Sequence, residues 1–139
     1  MLDTSEIGDV NVALQKLAAS IKKVRVHYRN ESNASLSVSA AVAVHLYRIA
    51  QEAVHNAVEH GVATEVQVDL SSDDGHVIVR IQDDGRGFDS TRGSSGMGVR
   101  IMQYRAHRAG GSCSVASQPG WGTIVACRLP FAKTSLVAA

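Results

Sequence analysis

Residues 47–62, YRIAQEAVHNAVEHGV, decide how the rest of the chain is read. Leu46, Ile49, Ala50, Ala53, Val54, Ala57 and Val58 recur at three- and four-residue steps, which makes one apolar stripe on a helix. Arg48, Glu52, Asn56 and His60 follow at steps of four, so they stack as a second, polar row. A solvated face is usually rich in Lys, Glu and Gln. This row instead sets a carboxylate, an amide and an imidazole one turn apart, and Gly61 follows it as a C-terminal glycine signal. Taken alone, the helix fits a solvated face as well as it fits a site. Three Gly-rich segments downstream tip the reading toward a site.

Upstream, residues 4–20 have helical spacing, with Val10, Leu14, Leu17 and Ala18 as the apolar face. Gly8 weakens the first turn, so the firm part is expected to start later, with Asp9 as its cap. Residues 21–28 alternate Val24, Val26 and Tyr28 against Lys23, Arg25 and His27, the pattern of a strand with one wet face. Ser39 or a neighbour then starts the long helix. Downstream, residues 65–70 and 76–82 alternate as two strands of a hairpin, with a turn at residues 72–75. Residues 89–95 are small and polar and are expected to be mobile. A helix opens at Gly96-Met97-Gly98, with Val99, Met102, Ala106 and Ala109 as its apolar positions, and Gly110-Gly111 closes it. Residues 112–117 and 123–129 form a last pair of strands around the turn at residues 118–122, and a frayed tail follows Pro130. This order predicts an α+β fold: a two-layer α/β sandwich with a mixed, mostly antiparallel sheet and helices on one face. The other face of the sheet is expected to be left open to water or a partner.

The glycines cluster at Gly85 and Gly87, at residues 93–98, and at Gly120 with Gly122. Glycine lets the backbone approach a ligand closely. A phosphate at the start of the helix opening at Gly96 would meet free N–H groups and the positive end of the helix dipole. Gly110-Gly111 reads as an ordinary turn. The P-loop pattern and the dinucleotide Gly-x-Gly-x-x-Gly are both absent. Asp83 ends an apolar strand and would be partly buried, so its carboxylate needs donors, such as the exocyclic amine of a purine. Alternatively it bonds its own turn, a role for which Asp84 is better suited. Glu52 and Asn56 offer hard oxygen ligands to a cation such as Mg²⁺.

Bulk properties exclude other classes. The 139 residues fit a single domain, 45% apolar and 19% charged, so disorder is excluded. The net charge of +1 argues against nucleic acid and against membrane contact by this domain. No stretch approaches the roughly 18 apolar residues of a membrane span, and the N-terminus lacks a signal-peptide pattern. Cys113 and Cys127 lack metal spacing and are expected to be buried thiols in a reducing compartment rather than a disulfide. The six His are scattered, with no helical His-x-x-x-His pair.

The set QEAVHNAVEHG, DDGRGF, GMGVRIM and GWGT, over residues 46–130, resembles the N box and glycine boxes of the GHKL ATP-binding (Bergerat) fold. The finer pattern, with Glu52 and the segment IMQYRAHRAGG, resembles the histidine kinases that pair with NarL-type response regulators. The resemblance implies an ATP-binding catalytic domain of a two-component sensor, with ATP and Mg²⁺ as cofactors. It implies that Asn56 ligates Mg²⁺, that Glu52 positions a water or the metal's hydration shell, and that His60 faces the phosphates. It further implies that Asp83 accepts from the adenine amino group, with Gly85 and Gly87 letting the base lie close. Gly96, Met97 and Gly98 would close over the phosphates, and Thr123 would bond near the adenine.

Histidine kinases carry a helical dimerisation segment with the phosphoacceptor His, and residues 1–45 hold no good candidate for it. The chain therefore reads as one catalytic domain over residues 1–139, with its core at about 40–130. The His-bearing dimerisation domain of the same parent protein and a response regulator are its expected partners. It is expected to be cytoplasmic, with membrane anchoring of the parent left open, and not to autophosphorylate by itself. The alternative is a stand-alone serine kinase of the anti-sigma-factor type, which shares the fold.

Overall fold

The computed structural model describes residues 9–32, 38–89 and 96–132. Helix α1 (Val10–Ser20) starts at Asp9, whose Oδ1 accepts from the N–H groups of Asn11 at 2.9 Å and Val12 at 3.4 Å. This is the capping role expected of it; the start expected at residue 4 and the segment 89–95, expected to be mobile, fall largely outside the described residues. Strand β1 (Arg25–Asn30) leads to α2 (Ala40–Glu59), capped by Ser39 Oγ, which accepts from the Val42 N–H. Then come β2 (Glu65–Asp73), β3 (His76–Asp83), α3 (Gly96–Arg108), β4 (Ser112–Gln118) and β5 (Gly122–Pro130).

The five strands form one sheet in the order β1-β2-β3-β5-β4. Only β1 and β2 run parallel, joined by the α2 crossover; the other neighbours are antiparallel. The expected α+β sandwich with a mixed sheet is what forms. Strand limits follow pairing rather than hydrophobic alternation. β1 begins at Arg25, whose N–H donates to the Thr64 carbonyl, because its partner β2 begins at Glu65. β2 continues to Asp73 because Ser71 and Ser72 pair with Ile78 and Val77. The hairpin loop is only Asp74-Gly75, both at positive φ (33° and 78°), the type I′ geometry that suits the twist of the flanking strands.

Alternation puts Val66, Val68, Leu70, Val77, Val79, Ile81, Val125, Cys127 and Leu129 on the buried face. The helices cover that face, α2 lying between α1 and α3. From α2 come Val42, Leu46, Ile49, Ala50, Ala53, Val54 and Ala57, nearly the stripe the periodicity predicts; Val58 is only partly buried. Each fully buried aliphatic side chain contributes roughly 1.5–3 kcal/mol. The opposite face carries Gln67, Asp69, Arg80 and Arg128, and no described element lies over it. In α3, Val99, Met102, Ala106 and Ala109 are buried as expected. Its end is a Schellman turn: the Gly111 N–H reaches the Ala106 carbonyl at 2.9 Å and the Gly110 N–H reaches that of His107 at 3.0 Å, with Gly110 at φ +89°.

Two expectations are overturned. Cys113 and Cys127 are joined as a disulfide, not free. The β4–β5 register places them directly opposite, since each lies seven residues from the centre of the turn at Gly120. The second concerns the end of α2. The left-handed residue there is Val62 (φ 53°), not Gly61. A β-branched residue in that region is strained by roughly 1–2 kcal/mol. Val62 is 69% exposed, so nothing buried is lost by changing it. Val62→Asn is therefore expected to stabilise the domain by about 0.5–1 kcal/mol, read as a higher urea midpoint with an unchanged slope.

Candidate functional site

The polar row of α2 and the ends of β3 and β5 border a cleft of about 570 Å³ between α2 and α3. Glu52, Asn56, His60, Asp83, Gly87, Met97, Gly98 and Thr123 all line it. Arg48, the fourth member of the row, does not; its Nη1 donates to Gln51 Oε1 at 2.8 Å. Gly85 lies behind Asp83, and Gly96 is the first residue of α3. Residues 52, 56 and 60 share this face because they are spaced four apart on a helix whose other face is in the core.

At one end of the cleft, α3 starts directly against α2. A Cβ on Gly98 would stand 2.6 Å from Glu52 Oε1 and 2.5 Å from Asn56 Nδ2. Only a bare α-carbon lets the helix start come so close. The first turn of α3, whose N–H groups have no partner within the helix, thus lies close to a carboxylate and an amide. Their donor set, Glu52 Oε1 and Asn56 Oδ1, consists of hard oxygens one turn apart. That suits a small divalent cation that draws its remaining ligands from phosphate and water. Among the described residues no three His, Cys, Asp or Glu side chains form a metal cluster of their own. The His60 ring stands edge-on to that of His55, centroids 6.1 Å apart.

At the other end, Asp83 Oδ1 accepts from the Gly85 N–H at 2.8 Å. Burial pushes its pKa above 3.8; the N–H groups of Gly85 and Thr123 oppose this, and the Asp84 charge adds to it. The turn-forming role expected of Asp84 falls to Asp83. Asp83 makes the turn of its own loop. Asp84 instead clamps the start of β2, accepting from the Thr64 N–H at 2.8 Å, the Glu65 N–H at 3.0 Å and the Thr64 hydroxyl. Those bonds hold the Asp84 pKa below the ordinary value.

Backbone-to-backbone contacts hold the loop after β3 in place. The Arg86 N–H donates to the Gly61 carbonyl at 2.8 Å, and the Arg86 carbonyl accepts from the Gly120 N–H at 2.7 Å. Gly87 (φ +66°) packs against the Gln118 carbonyl and Gly122 (φ +86°) against that of Asp83, where no Cβ fits. The GWGT turn thereby meets the DDGRGF loop, two segments far apart in sequence.

Several cleft residues escaped sequence reading. Ile81, Val115, Val125, Phe88 and Met102 form its apolar floor, and Arg86 supplies a cation whose Nε donates to the His60 carbonyl at 3.0 Å. The strand alternation that fixes Asp83 also points Ile81 and Val125 to the same side, and this was the available signal.

Comparison with known proteins agrees with this geometry. Residues 41–133 match the family of histidine kinase-, DNA gyrase B- and HSP90-like ATPases. The chain belongs to that family. It is 36% identical over 90 residues to the sensor protein VraS of Staphylococcus aureus (strain COL), the match covering 64% of this chain and 26% of that protein. VraS of Staphylococcus epidermidis is 34% identical over the same length. The match thus spans about a quarter of the length of these relatives. Among solved structures, the blue-light activated histidine kinase of Erythrobacter litoralis EL346 superimposes with a TM-score of 0.74 at 21% identity, over 91% of this chain and 43% of that one. The ATP-binding domain of PrrB from Mycobacterium tuberculosis gives 0.69 at 23% identity, over 91% and 96%. Both likenesses concern the fold.

Proposed function

We propose that the chain is the ATP-binding catalytic domain of a two-component sensor histidine kinase. It would pass the γ-phosphoryl of ATP to a histidine on a dimerisation domain of the same parent protein. From there the group would go to a response regulator, of NarL type on the strength of IMQYRAHRAGG, the segment that runs from α3 to its terminal glycines. The observation that carries this reading is the cleft itself, with a half-buried acceptor, Asp83, at one end and Glu52, Asn56 and the α3 start at the other. That polarity suits a nucleotide, with the base at one end and the phosphates at the other.

Asp83 accepts from the 6-amino group of adenine, and Ile81, Val125 and Met102 supply apolar surface for the base. Asn56, with Glu52 beside it, would hold Mg²⁺, which would neutralise charge on the phosphates. The α3 N–H groups at Met97 and Gly98 donate to phosphate oxygens, His60 faces the phosphates, and Arg86 adds cationic character nearby. Glu52 orients a water or the hydration shell next to Asn56. Most of the rate enhancement then comes from holding the phosphates in line and from fixed donors around them.

Calorimetric titration with ATP, with and without Mg²⁺, tests this. Wild type should bind in both cases and more tightly with Mg²⁺. Asn56→Ala should weaken Mg-ATP binding by at least about tenfold and erase most of the gain from Mg²⁺. No heat up to millimolar nucleotide would sink the reading.

A further inference from the structure

Tyr47 is 4% exposed, and its hydroxyl makes no hydrogen bond among the described residues. A buried phenol ordinarily has a partner for its O–H. Tyr47 lines a second groove, of about 670 Å³, between α1 and the part of α2 from Tyr47 onward. α2 separates this groove from the cleft, and His55 alone among the described residues borders both. The polar groups on the Tyr47 side are donors. Gln51 Oε1 is taken by Arg48 Nη1 at 2.8 Å, which leaves the Gln51 NH₂ for the groove. Lys16, on the opposite wall, makes no ion pair among the described residues. A free O–H, an amide NH₂ and an ammonium together call for an acceptor that carries negative charge. Lys23 is tied to Glu59 at 3.5 Å at the other end, about 18 Å from Tyr47 along α2. Lys16, seven residues before Lys23 in the chain, falls toward Tyr47. Leu17, Ile21, Val54 and Val58 line the stretch between with apolar surface.

We propose that this groove is a second binding site, for a small amphiphilic carboxylate. The head accepts from the Tyr47 hydroxyl, the Gln51 amide and the Lys16 ammonium, and an alkyl tail lies along Ile21, Val54 and Val58. The groove has the size of a small-molecule site and the usual make-up of one, apolar walls with a few polar groups that fix orientation. Glu59 repels an anion at the far end, so the head is directed to Tyr47, while Lys22 on the rim adds to the attraction. A second copy of the chain is a poor occupant. Its exposed apolar stripe, Met97, Ile101 and Tyr104 of α3, is interleaved with Arg100, Arg105 and Arg108, like in charge to the lysines of the groove. The proposal does not depend on the nucleotide reading, since the two cavities lie on different sides of α2.

The probe is decanoate, kept below its micelle-forming concentration, against decyltrimethylammonium, which has the same tail and a cationic head. Binding is followed by calorimetry and by amide shifts in nuclear magnetic resonance. Decanoate should bind wild type with a Kd of about 1 mM or lower. It should shift Tyr47, Gln51 and Val58, and do so equally in excess Mg-ADP. The cationic amphiphile should bind about tenfold more weakly or not at all. Tyr47→Phe removes only an oxygen that has no bond within the described residues. Its thermal midpoint should therefore hold while decanoate affinity falls by about tenfold. Lys16→Glu, at an exposed position, should weaken decanoate by a similar factor and favour the cationic amphiphile. Equal binding of the two amphiphiles, no shifts with millimolar decanoate, or affinity unchanged in both variants overturns the proposal. Displacement of decanoate by Mg-ADP overturns it too, because the ligand would then sit in the cleft. A helical peptide with Leu at heptad positions a and d and Glu at e and g is the last arm. If it shifts these residues and decanoate does not, the groove docks a helix and the small-ligand proposal fails.

Discussion

Gly98→Ala is expected to fold at least as well as the wild type and to lose Mg-ATP binding by about thirtyfold or more. Gly98 is in the first turn of α3, and its φ is not in the left-handed region. Alanine is the better helix former there by up to roughly 1 kcal/mol. The new methyl, however, would stand 2.6 Å from Glu52 Oε1 and 2.5 Å from Asn56 Nδ2. These are the far ends of half-buried side chains, so the molecule can relieve the clash by turning them away. Relief therefore falls on the two groups proposed to hold the metal and its water. Two readouts separate the effects: a thermal midpoint at or above wild type, and a calorimetric titration with little heat. A variant that binds Mg-ATP normally would mean that α3 moves off α2 before the nucleotide enters, and that the close approach is not part of the bound site.

Much of this site was legible because periodicity is a local property. Glu52, Asn56 and His60 were placed together by spacing alone, since a helix with one buried face leaves little freedom for the other. Asp83 was legible because an acid ending an apolar strand has to face something polar. The roles of Asp83 and Asp84 were not legible. Which of two adjacent carboxylates turns back on its own loop depends on where the start of β2 lies, and Thr64 and Asp84 are 20 residues apart. The disulfide is legible in principle from the symmetry of Cys113 and Cys127 about Gly120, although strand-like surroundings and the absence of a signal-peptide pattern favour buried thiols in a reducing compartment. The left-handed Val62 was hidden by the glycine beside it. Gly61 is needed for close packing, a Cβ there lying 3.1 Å from the Ala57 carbonyl, not for its dihedral.

Asp83→Asn should keep the fold and lose nucleotide affinity by about a hundredfold, because the effects on stability and binding have opposite signs. In the free domain the carboxylate is raised above 3.8, chiefly by burial. A raised carboxyl favours its protonated form in the folded state, so that part of stability is present at low pH and is lost as pH rises through the folded pKa. At neutral pH the ionised group therefore works against folding, and a neutral amide of the same shape relieves it. Asn can keep the bond from the Gly85 N–H by turning its oxygen inward. Its NH₂ then faces the cleft and meets the amino group of the base donor to donor. A buried mismatch of this kind loses the hydrogen bond and leaves a donor unpaired, roughly 2–3 kcal/mol in all. The thermal midpoint at neutral pH should be equal to or above wild type, while the ADP titration flattens. The pH dependence gives an independent check. The base amine binds the ionised carboxylate, whose pKa burial raises, so wild-type affinity should fall as pH is lowered through the range in which that carboxyl takes up its proton. Over that range wild type should take up the nucleotide with release of a proton, seen as a binding heat that changes with the ionisation enthalpy of the buffer. In Asp83→Asn that proton release should vanish. Its persistence at wild-type size would assign the titrating group elsewhere in the cleft and would remove Asp83 from contact with the base.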